Sequence, residues 1–178
     1  LFLRLIPPLF SIFAFFGLFL SFQSSNVVRV FAVGRYEDAR LAVAVMCLYP
    51  LHQTYGQLSG SVFYATGRTG LYRNIGIVMA ILGLPLTYFL VAPASCGGLN
   101  LGALGLAIKT VCLQFFETNI QLWFNARYLG IHFISLLKRQ FLVVGILSLF
   151  SGGTCWGMRT MSNPMAGFFG AGVIYFAL

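Results

Sequence analysis

Apolar residues run along this chain in blocks about as long as a helix crossing a bilayer, separated by short polar or basic connections. The blocks cover residues 5–22, 41–65, 75–92, about 101–125 and 141–156, and a sixth starts near Pro164. No internal repeat or low-complexity tract interrupts them. The pattern predicts an all-α, polytopic transmembrane helix bundle of about six spans. Both ends fall inside apolar runs, LFLRLIPPLF and FFGAGVIYFAL, so residues 1–178 are expected to be one partial transmembrane domain cut from something longer.

Within the blocks, polar residues recur at helical spacing. At 100° per residue, Tyr49, Gln53, Gly56, Gln57, Gly60, Tyr64 and Gly67 fall in one band on one face of the second span. Two readings fit that stripe: close packing through small residues, with Gln and Tyr as interhelical hydrogen bonders, or the lining of a cavity. On the fourth span Thr110, Gln114, Glu117, Thr118, Gln121 and Asn125 cover an arc of about 100°. Lys109 projects away from it. An ionised Glu117 facing lipid would cost roughly 2.5 to 3.5 kcal/mol even on lenient insertion scales, so the stripe must face the bundle or water. His52 lies off the second-span stripe and reads as a structural histidine.

Other features are local. Pro7 and Pro8 stand near the first span's start, where a missing backbone donor matters little, and a kink is expected only there. The charged stretch NVVRVFAVGRYEDAR reads as an interfacial turn or a short amphipathic helix. Gly83 and Pro85 sit inside the third span, where proline frees a carbonyl that neighbours must satisfy.

Composition turns the pattern into a membrane assignment. Of the residues 59% are hydrophobic and 8% charged, against roughly 25% charged in soluble domains. Mean hydropathy is +0.89. The net charge of +8 comes from eleven Lys and Arg dispersed singly, without the basic face or arm of a nucleic-acid binder. Cys47, Cys96, Cys112 and Cys155 stand apart from one another and from histidines, and read as small packing residues with no metal or cofactor implied. Three acids and two histidines form no nucleophile-and-base arrangement, H-E-x-x-H or G-x-S-x-G, so an enzyme is not expected.

Orientation follows from the cations near the span ends, because positive loops stay in the cytoplasm. Arg4, Arg68, Arg73, Arg127, Lys138 and Arg139 fall on one side, and Arg29, Arg35, Arg40 and Arg159 on the other. Six against four places the Arg4 end in the cytoplasm. Arg68 and Arg73 read as snorkelling anchors or as a phosphate grip at the bundle mouth.

The segment YPLHQTYGQLSGSVFYATGRTGLYRNIGI resembles polysaccharide-biosynthesis flippases of the multidrug/oligosaccharidyl-lipid/polysaccharide exporter superfamily. The likeness extends to Gly83, Leu84, Pro85, Leu86, Thr87 and Tyr88, to LNLGALGLAIK with Gly102 and Gly105, and to the Phe-x-x-Gly-Arg-Tyr-Glu-Asp-Ala-Arg tail of the first span. It covers about residues 1–130, and the last two spans match in hydropathy alone. It implies part of the second lobe of a two-lobed transporter of twelve to fourteen helices, with a cytoplasmic Arg4 end, in the bacterial inner membrane. The function implied is translocation of lipid-linked oligosaccharide by alternating access. The candidate substrate-facing residues are then Gln53, Gln57, Arg68, Arg73, Lys109, Gln114, Glu117, Gln121 and Asn125. Sugar hydroxyls would meet the amides and Glu117, and phosphate would meet Lys109. The alternatives are a cation-coupled multidrug exporter of the same superfamily, which needs acids in the bundle, and a non-transporting membrane scaffold, favoured if the stripes pack tightly. The expected partners are the lipid-linked substrate and membrane lipids, with no nucleic acid.

Overall fold

A computed structural model describes residues 2–32, 36–157 and 164–177, with side chains for 7–31, 36–156 and 169–176. Every regular element among the described residues is helical: α1 (Phe2–Phe22), α2 (Ser24–Ala32), α3 (Arg40–Met46), α4 (Tyr49–Ala65), α5 (Thr69–Val91), α6 (Gly102–Leu129), α7 (Phe133–Gly157) and α8 (Pro164–Ala177). Single 3-10 turns at Glu37–Ala39 and Ala94–Cys96 precede α3 and α6.

Two of these helices are individually long and apolar enough to cross a membrane, Thr69–Val91 and the Phe133–Trp156 part of α7. At 1.5 Å per residue the 23 residues of α5 reach about 34 Å, enough for a ~30 Å hydrocarbon layer. Residues 7–22 and 24–31 make a third candidate if the bent pair counts as one span. Both α5 and α7 begin earlier than the apolar blocks alone suggest. They take in Arg73, and Lys138 with Arg139, because exposed cations near a helix end can snorkel towards the headgroups while their stems lie along the helix.

Two expected spans are reshaped. The second is not one helix: α3 stops at Met46, Cys47 and Leu48 turn, and α4 restarts at Tyr49. Pro50 has no N–H to give the Met46 carbonyl, so the ladder cannot run through, and the same proline suits the first turn of α4. In the first, Pro7 and Pro8 lie within α1, and the bend comes at its far end, where α1 and α2 meet at 74°. Two α7 side chains reach carbonyls of that last stretch: Ser151 Oγ donates to Leu18 O at 3.3 Å and Cys155 Sγ to Phe22 O at 3.5 Å. Competition of this kind for ladder acceptors is a recognised cause of helix bends.

Contacts fix the direction of each helix. The Leu18–Ser151 and Phe22–Cys155 bonds share an offset of 133 residues, so α1 and α7 run parallel. Phe10 meets Tyr55 at 5.0 Å while Gly17 lies against Leu51 and Cys47, which makes α1 and α4 antiparallel. Tyr175 of α8 donates to Phe15 O and Gly172 faces Phe19, so α8 also opposes α1. The order α1, α4, α5, α6, α7, α8 thus alternates in direction. A core of Phe10, Ala14, Leu18, Leu51, Tyr55 and Leu122 joins α1, α4 and α6. A second, of Phe63, Ile75 and Met79, joins α4 to α5, with Leu113, Ile120 and Phe124 of α6 against it.

The alternation collects the cations. The α4–α5 and α6–α7 connections share one end of the bundle, and the Arg68 guanidinium stands 3.9 Å over the Tyr128 ring, tying them together. Both connections turn on left-handed residues that only glycine adopts easily, Gly67 at φ 69° and Gly130 at φ 67°. Arg68, Arg73, Arg127, Lys138 and Arg139 therefore gather where α1 begins, and Arg29 and Arg40 lie at the other end. For these seven cations the grouping read from the sequence is the one the fold makes. Arg35, Arg159 and the side chain of Arg4 lie outside the described residues.

Of the cysteines, Cys47 and Cys155 are half-buried, whereas Cys96 and Cys112 are exposed. The packing role expected of all four does not extend to that second pair. Cys96 lies in the α5–α6 connection and Cys112 on the outer face of α6.

Candidate functional site

The fourth-span stripe divides into a dry seam and an open flank. Thr118 Oγ1 donates to His52 O and Asn125 Nδ2 to Ser59 O, each at 3.1 Å and each across 66 residues. Two bonds seven residues apart with one offset mean that α4 and α6 run parallel in fixed register. Gly56 allows the approach: a Cβ there would stand 3.2 Å from both Gln114 Nε2 and Thr118 Oγ1. Between apolar helices in lipid, such packing and hydrogen bonds, about 0.6 to 2 kcal/mol each, replace the hydrophobic force. Thr118 is 0% exposed, and Gln121 and Asn125 are 2% exposed. Close packing through small residues describes this part of the stripes.

Glu117 points elsewhere. It lies about 100° round α6 from Thr118, between the side that meets α4 and the Leu113/Ile120 side that meets α5. Its Oε1 accepts from Gln121 Nε2 at 3.1 Å, and among the described residues no cation comes within ion-pair distance. On α4, Gln53, Gln57 and Tyr64 flank the seam on the α5 side; Gln53 is half-buried, while Gln57 and Tyr64 are exposed. Tyr72 of α5 closes one end, its ring over Gly60 and 5.6 Å from the Tyr64 ring. The polar flank of α6 thus lies in the groove between the packed helices α4 and α5, with Gln114 half-buried at the seam's edge and donating to Thr118 Oγ1 at 3.3 Å.

Gln114 meets Gly56 and Thr118, Glu117 meets Gln121, and Gln53 and Gln57 lie on the neighbouring face of α4. Asn125 belongs to the seam. Lys109 lies two turns from Glu117 towards the opposite end, its Nζ 3.9 Å from the place of a Cβ on Gly83 in α5. Arg68 stacks on Tyr128 at the basic end, and Arg73 is exposed in the second turn of α5. The groove therefore offers neutral hydrogen bonders and one carboxylate, with cations at either side of it along the bundle axis.

Two things escaped sequence reasoning. Tyr72 lies between Arg68 and Arg73, in a stretch read for its cations alone, and its place opposite Gly60 shows its role. The other is a cluster deep between α1, α4, α6 and α7. The half-buried His52 ring sits among Phe10 and Phe115, centroids 5.9 and 5.0 Å away. Gln140 of α7, 3% exposed, lies beside His52 and Tyr55, yet neither of its amide atoms completes a hydrogen bond of good geometry. Nothing local in the sequence brings residues 52, 55 and 140 together.

The division of the stripe is measurable. With Cys96 and Cys112 replaced, cysteines at Gln57 and Glu117 should react with a water-soluble thiol reagent in membranes, and cysteine at Asn125 should not. Equal labelling at all three positions would show that the seam is not closed.

A scan of protein-family models, a search of curated proteins and a search of solved structures return no match to this chain.

Proposed function

We propose that this chain is part of the second lobe of a flippase that moves lipid-linked oligosaccharides across the bacterial inner membrane. The observation that carries the reading is the polar groove between α4, α5 and α6, which runs from Gln114 and Glu117 halfway along the bundle, past Gln53 and Gln57, to Tyr72 near the basic end, in a bundle with a lipid-like exterior. Amides, a phenol and a carboxylate are the groups that bind sugar hydroxyls, and no reaction centre is needed to move an intact glycan. The resemblance of residues 1–130 to polysaccharide-biosynthesis flippases supports the same substrate class, as does the alternating direction of six helices, each taken here to cross the membrane. Lys109, Arg68 and Arg73 would meet the phosphate at successive depths.

Rocking fits these parts. The α4–α6 seam, held by two interhelical bonds and Gly56, would move as one body. The break at Cys47–Leu48 and Pro85 in α5 supply the flexible points. Disrupting the gene should leave lipid-linked repeat units on the cytoplasmic leaflet and deplete surface polysaccharide. Unchanged polysaccharide in a strain with no other exporter would sink the reading. A reporter fused after Arg73 should read cytoplasmic, and a periplasmic signal would invert the assigned orientation.

Glu117 favours a second reading, a cation-coupled exporter of the same superfamily, because this carboxylate lies inside the bundle without a cation partner among the described residues. Transport that follows an imposed Na⁺ or H⁺ gradient and does not respond to saccharide would decide for it.

A further inference from the structure

At the end of the bundle away from the basic connections, α1 bends by 74° into α2, and the chain returns through the 3-10 turn Glu37–Ala39 into α3. A pocket of about 400 Å³ opens inside this elbow, lined by Ser25, Val28, Arg29, Glu37, Asp38, Arg40 and Leu41. Its surroundings mark a membrane boundary. Val28 is buried against the bundle, whereas Phe31 is 77% and Tyr36 65% exposed beside the arginines, the combination that anchors helices at the headgroup level.

Among the described residues the lining carries two guanidiniums and two carboxylates. The contact between Arg29 Nε and Glu37 Oε1, at 3.3 Å, is the one ion pair among the described residues. Arg40 and Asp38 line the same pocket and have no ion-pair partner among the described residues, and the terminal nitrogens of Arg29 have none either. A simple anion would be repelled by the acids, and a simple cation by the arginines. A ligand with both a phosphate and an N–H-bearing ammonium satisfies both sets, because guanidinium matches phosphate oxygens and carboxylate needs donors. Val28 and Leu41 in the same wall, with Phe31 outside, offer an apolar path for an acyl chain.

We propose that the α2–α3 elbow binds the phosphoethanolamine headgroup of a membrane phospholipid, with phosphate on Arg29 and Arg40 and ammonium on Glu37 and Asp38. The site is separate from the polar groove and does not depend on what that groove carries.

Native mass spectrometry of the delipidated protein in detergent tests this by titration with phosphatidylethanolamine, phosphatidylcholine and phosphatidylglycerol of identical acyl chains. The ethanolamine lipid should bind about tenfold more tightly than the other two, the difference expected from one charge-assisted hydrogen bond. Arg40→Gln should weaken all three lipids, and Asp38→Asn should remove the preference for ethanolamine over choline. Both substitutions leave the Arg29–Glu37 pair in place, so an unchanged thermal midpoint reports intact folding, and Arg29→Gln provides a second loss of phosphate contact. Equal binding of the three lipids would overturn the proposal, as would a preference that survives Asp38→Asn. Displacement by soluble phosphoethanolamine at the lipid's own concentration would overturn the lipid assignment.

Discussion

Gly17→Ala is expected to lower stability by roughly 1 to 3 kcal/mol, the range for overpacking a well-filled interior, and to lower the yield of folded protein in detergent. The added Cβ would stand 2.5 Å from Leu51 Cδ1 and 2.6 Å from the Cys47 carbonyl oxygen. Leu51 can rotate away. The carbonyl cannot, because it belongs to the turn that joins α3 to α4. The α1–α4 crossing must therefore open, and with it the packing of Phe10, Ala14 and Leu18 on Leu51 and Tyr55. A control separates this from the general effect of removing glycine. A Cβ on Gly145 of α7 meets nothing within 4 Å, so Gly145→Ala should be neutral or stabilise by up to about 1 kcal/mol through helix propensity. Thermal unfolding followed by size-exclusion chromatography reads both. Equal midpoints for the two variants would mean that α1 does not cross α4 where the structure places it.

What the sequence made legible was periodic or additive. The blocks of apolar residues located the helices, and the cations at their ends grouped as the fold groups them, because charge near a span end depends on local sequence alone. The break at Cys47–Leu48 was also local, since Pro50 was visible, but a proline near the middle of an apolar block is compatible with a kinked helix and with two helices. The stripes were found without being resolved. Angles about one helix axis place Gln57 and Gly60 on one face, yet which of them meets a neighbour is decided by residues far away, through the 66-residue offset to α6 and the Tyr72 ring. Glycine permits a close approach and glutamine reaches either way, so packing and groove lining leave the same periodic trace. The cluster of His52, Tyr55 and Gln140 had no trace at all, because a lone Gln just before the apolar block at 141 resembles any interfacial polar residue, whereas the helix starts at Phe133 and carries it inside.

Glu117 is where function should respond most. A carboxylate halfway along α6 with no ion-pair partner among the described residues must be held by Gln121 and by water in the groove, since a lipid-facing charge at that depth would cost roughly 2.5 to 3.5 kcal/mol. Glu117→Gln keeps an acceptor for Gln121 Nε2 and for a sugar hydroxyl. If the flippase reading holds, it should retain most translocation of lipid-linked saccharide. Glu117→Leu removes the acceptor and leaves Gln121, 2% exposed and already with an unpartnered Oε1, without a bond for its amide as well. An unsatisfied buried group costs roughly 1 to 3 kcal/mol, so this variant should lose stability along with about tenfold or more of its translocation rate. The double variant Glu117→Leu, Gln121→Leu separates the two effects: removing both partners should recover folding, while translocation stays low. Translocation at the native rate in the well-folded double variant would remove Glu117 from the pathway. Loss of translocation in Glu117→Gln with folding intact would show that the charge itself is required, which is the outcome a cation-coupled exporter demands.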